Sequence, residues 1–201
     1  MHRRVRPVGV VLFLCVLVPS LSAQDPLVLS LRSRVAKPGT DAYEIHTTRQ
    51  TWKPSETAVI VCDMWDHHHC PTAEKRVGEL AGPMNAFLAT LRKRGVLVIH
   101  SPSSCMDAYK DLPARKRALM APRAAELPTK IADWCYKIPA EENGKYPVDQ
   151  TDGGCDCTDA EQKAHTELLA KLGRNPMAPW KRQIDTIVIR DEDAISDSGF
   201  E

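Results

Sequence analysis

Two short apolar runs separated by an amphipathic stretch constrain the fold of this chain more than any other feature. Residues 57–62 and 96–100 are rich in β-branched side chains, and polar residues follow the first run at once. Such runs are typical of strands buried on both faces, as in a parallel sheet. A strand, a helix and a second strand within 44 residues predict a βαβ unit with parallel strands.

The stretch between the two runs predicts a helix that ends at a glycine. Gly95 follows the basic residues 92–94 and is placed to act as the C-cap. Pro83 interrupts the pattern, so that either the helix kinks there or a second helix begins there. Apolar side chains recur at three- and four-residue spacing and form one stripe, namely Val77, Leu80, Ala81, Met84, Leu88 and Leu91.

Three further elements are predicted after this unit. Residues 113–125 favour a short basic helix, and the capping-box pattern at residues 158–161 opens another helix that stops at Gly173. Residues 184–189 predict a third strand, after which the sequence has only twelve residues. We therefore expect an α/β domain that is cut short after its third strand, and regard a small complete domain as the alternative.

The N-terminus has the three-part layout of a secretory signal. A basic start with Arg3, Arg4 and Arg6 precedes an apolar run at residues 8–18, and the small residue Ala23 closes the segment. We predict a signal peptide over residues 1–23 and a secreted or periplasmic protein; an uncleaved membrane anchor is the alternative. The polar, proline-containing residues 24–55 predict an extended N-terminal segment, and residues 56–201 the domain itself.

Composition limits the partners of the chain. Its 201 residues suffice for one domain, and a 43% hydrophobic fraction is compatible with a packed core. The net charge of +1 gives no basic face for nucleic acid. We expect neither nucleic acid nor, after signal cleavage, a membrane as a partner.

Export would permit disulfides among the six cysteines outside the signal. Sequence does not fix the pairing, since six cysteines allow fifteen. Cys62 lies inside an apolar run and is predicted to be a buried free thiol. Cys155 and Cys157 are poorly placed to pair with each other, so we expect each to bond elsewhere. Zinc bound by these two and a further cysteine is a hypothesis that lacks the usual two-residue spacer.

Ligands of parallel α/β sheets bind at the carboxyl ends of the strands, which here means residues 63–70 and 100–109. Asp63 follows the first strand directly and is either a partly desolvated base or a residue that caps the following turn. Residues 67–69 are three histidines, which are either metal ligands or part of a polar loop, with Cys70 in a disulfide. Trp134, Tyr136 and Trp180 could line a pocket, but we assign them to the core.

The segment from Ala58 to Trp65, an apolar strand followed by Asp63 and Met64, resembles the opening strand of the isochorismatase-like cysteine hydrolases, which include nicotinamidases. Residues 91–100, 184–189 and 198–200 resemble later segments of that family in order and spacing. The resemblance implies a three-layer Rossmann-like parallel sheet flanked by helices, a small-molecule amide as substrate and, often, homo-oligomers.

By this resemblance Asp63 matches the acidic catalytic residue, while Trp65 and His69 are candidates for the substrate pocket wall. The sequence departs from the family in that no cysteine follows a fourth strand, and residues 190–193 replace the expected lysine. The resemblance therefore predicts an exported hydrolase domain that is inactive as it stands. The alternative is a non-catalytic secreted binding protein on the same scaffold.

Overall fold

The computed structural model describes residues 25–127, 129, 131 and 155–197. The predicted signal peptide, Cys135, Trp134, Tyr136 and residues 198–201 lie outside these residues. Within the described part, helices and strands form a mixed α/β structure with one antiparallel and one parallel sheet. No helix in this part is both long enough and apolar enough to span a bilayer.

The N-terminal segment folds as an antiparallel hairpin. Strands β1 (Leu27–Ala36) and β2 (Tyr43–Trp52) pair along their full length, and Gly39 at φ +74° lies in the turn. Most of the side chains are exposed, and Arg94 fixes the start of the hairpin by donating to the carbonyls of residues 25 and 26 at 3.1 and 2.8 Å. The segment is therefore extended, but its internal pairing was not predicted.

The predicted βαβ unit is confirmed. Strands β3 (Ala58–Cys62) and β4 (Leu97–Ser101) are parallel neighbours, and helix α1 (Pro71–Lys93) connects them. The helix continues through Pro83, so no second helix begins there. It ends in a Schellman motif, in which Gly95 at φ +77° donates to the Arg92 carbonyl and the next amide donates to residue 91.

The third strand of the parallel sheet is β5 (Ala194–Ile195), and the predicted strand at residues 184–189 is wrong. β5 pairs in parallel with β4, which gives the order β3-β4-β5. Residues 184–189 instead make a turn, in which the Ile187 amide donates to the Ile184 carbonyl at 3.1 Å. Ile187 is buried in the core. Residues 184–189 are therefore apolar because they pack into the core, and not because they form a strand of the sheet.

Two further helices are found where the sequence predicts them. Helix α2 (Pro113–Leu119) is shorter than the predicted 113–125. Helix α3 (Asp159–Lys171) begins with the predicted capping box, since Thr158 and Glu161 satisfy each other's backbone amides. Gly173 at φ +66° ends it, as predicted.

The described residues pack closely on only one face of the parallel sheet, where Val61 and Val98 contact Ala81 and Leu88 of α1. The other face is only partly covered, by the end of α2 and the residues that follow it. On the other face Ile60 is 59% exposed, and a cavity of about 990 Å³ lies over it. Cys62 is a free thiol as predicted, but it is exposed because it lies on this open face.

A buried ionic network ties β4 to α1 and to the segment before β5. Asp193 is 1% exposed and accepts hydrogen bonds from Arg92 Nε and Nη2 at 2.8 and 2.7 Å. The Arg190 amide donates to the same carboxylate at 2.7 Å, and His100 Nε2 lies 3.2 Å from it. Opposite charges and full hydrogen bonding make the burial of this carboxylate tolerable.

One disulfide joins Cys70 to Cys155 across 85 positions of sequence, with their Cα atoms 5.9 Å apart. The expectation that Cys155 bonds elsewhere than Cys157 is thereby confirmed, as is the disulfide hypothesis for Cys70. Cys157 has a free thiol, so the expectation that it also forms a bond is wrong for this structure. The disulfide links the loop before α1 to the segment before α3.

Candidate functional site

The carboxyl ends of the three parallel strands meet at one edge, which we call the rim. It comprises residues 63–70 after β3, residues 102–109 after β4, and residues 196–197 after β5. The Ser104 amide donates to Asp197 Oδ1 at 2.8 Å and joins two of these segments. This is where the sequence places the functional edge of the sheet.

The rim backbone contains an unusual concentration of positive φ angles. Asp63, Ser103 and Ser104 have φ values of +51°, +39° and +57°, and in the described part of the chain no other non-glycine residue has a positive φ. Side chains other than glycine rarely adopt this region, and such residues cluster at functional sites. The Asp63 turn is fixed at both ends, because its amide donates to Ser101 at 3.0 Å and its carbonyl accepts from Trp65 at 2.9 Å.

Aromatic rings form a stack along the rim. Trp65 and Trp180 lie with ring centroids 4.5 Å apart and planes at 13°, while His68 stacks on Trp65 at 5.8 Å. His69 follows, with its ring 4.0 Å from that of His68. Trp65 Nε1 also donates to the Pro102 carbonyl, which ties the stack to the loop after β4. Burial, and the neighbouring His69, lower the pKa of His68.

A cavity of about 520 Å³ opens beside this stack. Residues 104–108, Trp180, Lys181 and Asp197 line it. Asp66 positions the Trp180–Lys181 side, because its carboxylate accepts from Arg174 Nη2 at 2.8 Å and from the Lys181 amide at 3.0 Å. Burial would raise the pKa of Asp66, but these hydrogen bonds outweigh it and lower the pKa.

Cys105 is the thiol of this cavity, and its surroundings keep it protonated. Burial raises the pKa of Cys105 to about 11, and the negative charges of Asp66, Asp197 and Asp63 act in the same direction. The nucleophilic form of cysteine is the thiolate, which this environment disfavours. No sequence motif marks Cys105 as a site residue; the one available signal is that it is the first thiol after the second predicted strand.

Asp63, the predicted catalytic residue, lies on the rim but is exposed to solvent. Among the described residues no side chain or amide donates a hydrogen bond to its carboxylate. Asp63 is therefore not buried in the way that the interpretation as a partly desolvated base expects, and its carboxylate does not cap the turn that follows. Its charge still acts on Cys105, which places the two groups in one electrostatic environment.

Neither of the two predicted pocket residues lines the cavity. Trp65 supports Trp180 by stacking on it. His69 contacts His68 and contributes its carbonyl, which accepts from Gln162 at 2.9 Å. Trp180 packs against the buried cluster that contains Cys105 and Tyr109, as expected of a core residue, and it also lines the cavity.

Two of the three rim histidines have partners at a ring nitrogen. His67 Nδ1 lies 3.1 Å from Glu74 Oε1, while His68 Nδ1 accepts from the Cys70 amide at 3.0 Å. His69 Nδ1 is buried with no partner. The rings of His68 and His69 lie against each other while that of His67 contacts Glu74, and no group of three or more potential ligands gathers in the part of the chain that the structure describes. The zinc hypothesis stays a prediction.

No protein-family model, no curated protein and no solved structure matches the chain.

Proposed function

We propose that this chain is a diverged, exported domain of the isochorismatase-like group that binds a small planar molecule in the rim cavity without hydrolysing it. The observation that carries the proposal is the stacked pair of Trp65 and Trp180 at the wall of a cavity of about 520 Å³. Cavities of this size suit small organic ligands, and a tryptophan held by a second ring offers a rigid surface for stacking.

Several features support the scaffold part of the proposal. The parallel β3–α1–β4 unit and the order β3-β4-β5 are compatible with a three-layer Rossmann-like sheet. Asp63 follows the first parallel strand, where the family has its acidic residue. The disulfide between Cys70 and Cys155 supports export, because such bonds persist in oxidising compartments.

The cavity chemistry favours binding over hydrolysis. With a pKa of about 11, only on the order of one Cys105 thiol in ten thousand is ionised at pH 7. Acyl transfer by cysteine needs a thiolate that an adjacent base or cation maintains. Three carboxylates act on Cys105 in the opposite direction. The same wall carries Lys181, which suits a ligand that presents a hydrogen-bond acceptor.

The test uses nicotinamide and benzamide as planar amide probes. We expect saturable heat in isothermal titration calorimetry, with no ammonia released at pH 7. Trp180→Ala should weaken binding about 2- to 13-fold, as stacking contributes ~0.5–1.5 kcal/mol. Trp52→Ala is the matched control, because Trp52 is 41% exposed in the hairpin and does not line the cavity.

Three results would contradict the proposal. Equal binding by the two tryptophan variants, or no binding by the unaltered protein, would exclude the rim cavity as a site for planar amides. Release of ammonia that disappears in Cys105→Ser would instead identify a hydrolase.

A further inference from the structure

Three sulfur atoms lie together between the starts of α1 and α3. Cys70 and Cys155 form the disulfide, and the free Sγ of Cys157 lies 3.1 Å from Sγ of Cys155. Thiol–disulfide exchange requires a thiolate to reach one sulfur of the bond, and this thiol is already in contact with it. We propose that Cys157 is an exchange nucleophile that opens the Cys70–Cys155 bond and forms a Cys155–Cys157 disulfide.

Gln162 holds the attacking group in position. Its Oε1 accepts from the Cys157 thiol at 3.3 Å, while its Nε2 donates to the His69 carbonyl at 2.9 Å. Cys157 also directly precedes Thr158, the N-cap of α3. The positive end of a helix dipole stabilises a nearby thiolate.

Cys70 is a suitable leaving group for the same reason. It is the N-cap residue of α1, and Thr72 Oγ1 lies 3.1 Å from its sulfur. The helix terminus and this hydroxyl both stabilise negative charge on the departing sulfur. A better stabilised leaving thiolate departs faster.

The exchange needs no further reactant. The Cys157 thiol gives its proton to solvent, and the resulting thiolate attacks Cys155 Sγ. The new S–S bond joins Cys155 to Cys157 as the bond to Cys70 breaks, and the electron pair of the old bond goes to Cys70 Sγ, which takes up a proton from solvent. Residues two apart have Cα atoms at most about 7 Å apart, so backbone distance permits the product.

Exchange would remove the covalent link of the rim while a polar link remains. Asp156 stays paired with Arg76, whose Nη1 lies 3.0 and 3.2 Å from its two carboxylate oxygens, and with Thr72. The loop released with Cys70 also carries His68 and His69 of the aromatic stack. The covalent state of Cys157 thus controls how firmly this side of the rim is held.

The first experiment alkylates the folded, unaltered protein with iodoacetamide at pH 8.5 and maps the labels by mass spectrometry. Cleavage before Asp156 separates Cys155 from Cys157, so a disulfide between them joins two peptides. We expect label on Cys70 together with a Cys155–Cys157 disulfide, besides label on Cys157. Cys62 is a free and exposed thiol, so its full alkylation shows that the labelling reaction has gone to completion. Label confined to Cys157, with Cys70 never modified, would overturn the proposal.

Two variants test whether Cys157 is the attacking thiol. In Cys157→Ser this attack is impossible, so Cys70 should stay bonded and unlabelled; labelling at the unaltered rate would show that another thiol opens the bond and would overturn the proposal. In Cys70→Ser, incubated with reduced and oxidised glutathione, Cys155 and Cys157 should join, lowering the mass by about 2 Da because two thiol hydrogens are lost. Two alkylated thiols there would contradict the proposal.

Discussion

At the scale of single residues, Asp193 concentrates the charge interactions of the domain. It is buried, it is paired bidentately with Arg92, and it also accepts from the Arg190 amide and contacts His100. Removing one member of such a group leaves an uncompensated charge in the interior, which is costlier than losing an exposed pair.

We expect Asp193→Asn to lower the free energy of unfolding by about 3–5 kcal/mol, because Arg92 would keep its charge without a carboxylate partner. Urea denaturation followed by circular dichroism measures this change. Asp185→Asn is the matched control, since Asp185 is 73% exposed in its pair with Arg182 and should change stability by less than ~1 kcal/mol. Similar effects of the two variants would show that the buried network contributes little.

The lowered pKa of Asp193 makes the stability of the protein depend on pH. Burial would raise the pKa of Asp193, but hydrogen bonds from His100, Arg92 and the Arg190 amide lower it from 3.8 to about 2. Since the folded-state pKa lies below the unfolded one, this stabilisation is fully present above about pH 4 and is lost as the pH falls towards 2. Denaturation midpoints measured from pH 5 to 2 should decline in that window, and less steeply in Asp193→Asn.

At the scale of elements, α1 contains two prolines in contrasting positions. Pro71 occupies the first turn, where an amide has no helical partner, and Pro83 lies inside the helix. Interior proline removes a backbone hydrogen bond and clashes with the preceding turn.

Pro83→Ala should therefore stabilise the protein by about 1–3 kcal/mol, whereas Pro71→Ala should give no gain. Thermal melting of the two variants and the unaltered protein makes the comparison. An unchanged midpoint in Pro83→Ala would mean that the helix is distorted at this point for reasons other than proline.

The elements that sequence predicts well are those with local signals. Strands β3 and β4 follow their apolar runs to within one residue, and Gly95 and Gly173 end helices because their positive φ suits glycine. The hairpin was missed because its strands are exposed on both faces and have no buried side to impose a clear period. The third strand was misplaced because β5 has only two residues.

The sequence predicts where the rim lies, but it does not predict which side chains line the cavity there. The ends of β3 and β4 follow from strand order, and this places Asp63 and Trp65 correctly on the edge. Trp180 and Cys105 reach the same cavity through loop geometry, which no periodic pattern specifies. The raised pKa of Cys105 depends on Asp66 and Asp197 from separate segments, so it is visible only in three dimensions.

At the scale of the whole molecule, the Cys70–Cys155 disulfide closes a loop of 85 positions. Cross-links that close long loops restrict the unfolded chain most. Reduction with dithiothreitol should lower the free energy of unfolding by up to about 4–5 kcal/mol, measured by urea denaturation with and without the reductant. The free energy of unfolding of the Cys70→Ser/Cys155→Ser variant should not change with the reductant. If the reductant still lowers it, the loss of stability comes from a different disulfide.

The open face of the parallel sheet affects which assays can report on the folded protein. Fluorescent dyes such as anilinonaphthalene sulfonate become bright on exposed apolar surfaces, and a rise in their signal is usually taken as loss of tertiary packing. Here the native sheet already presents Ile60 and the apolar cavity beside it. The dye baseline of the intact protein should therefore be high, and its increase on heating small. Such a curve would describe the native surface and not a partly melted state, so unfolding is better followed through backbone ellipticity.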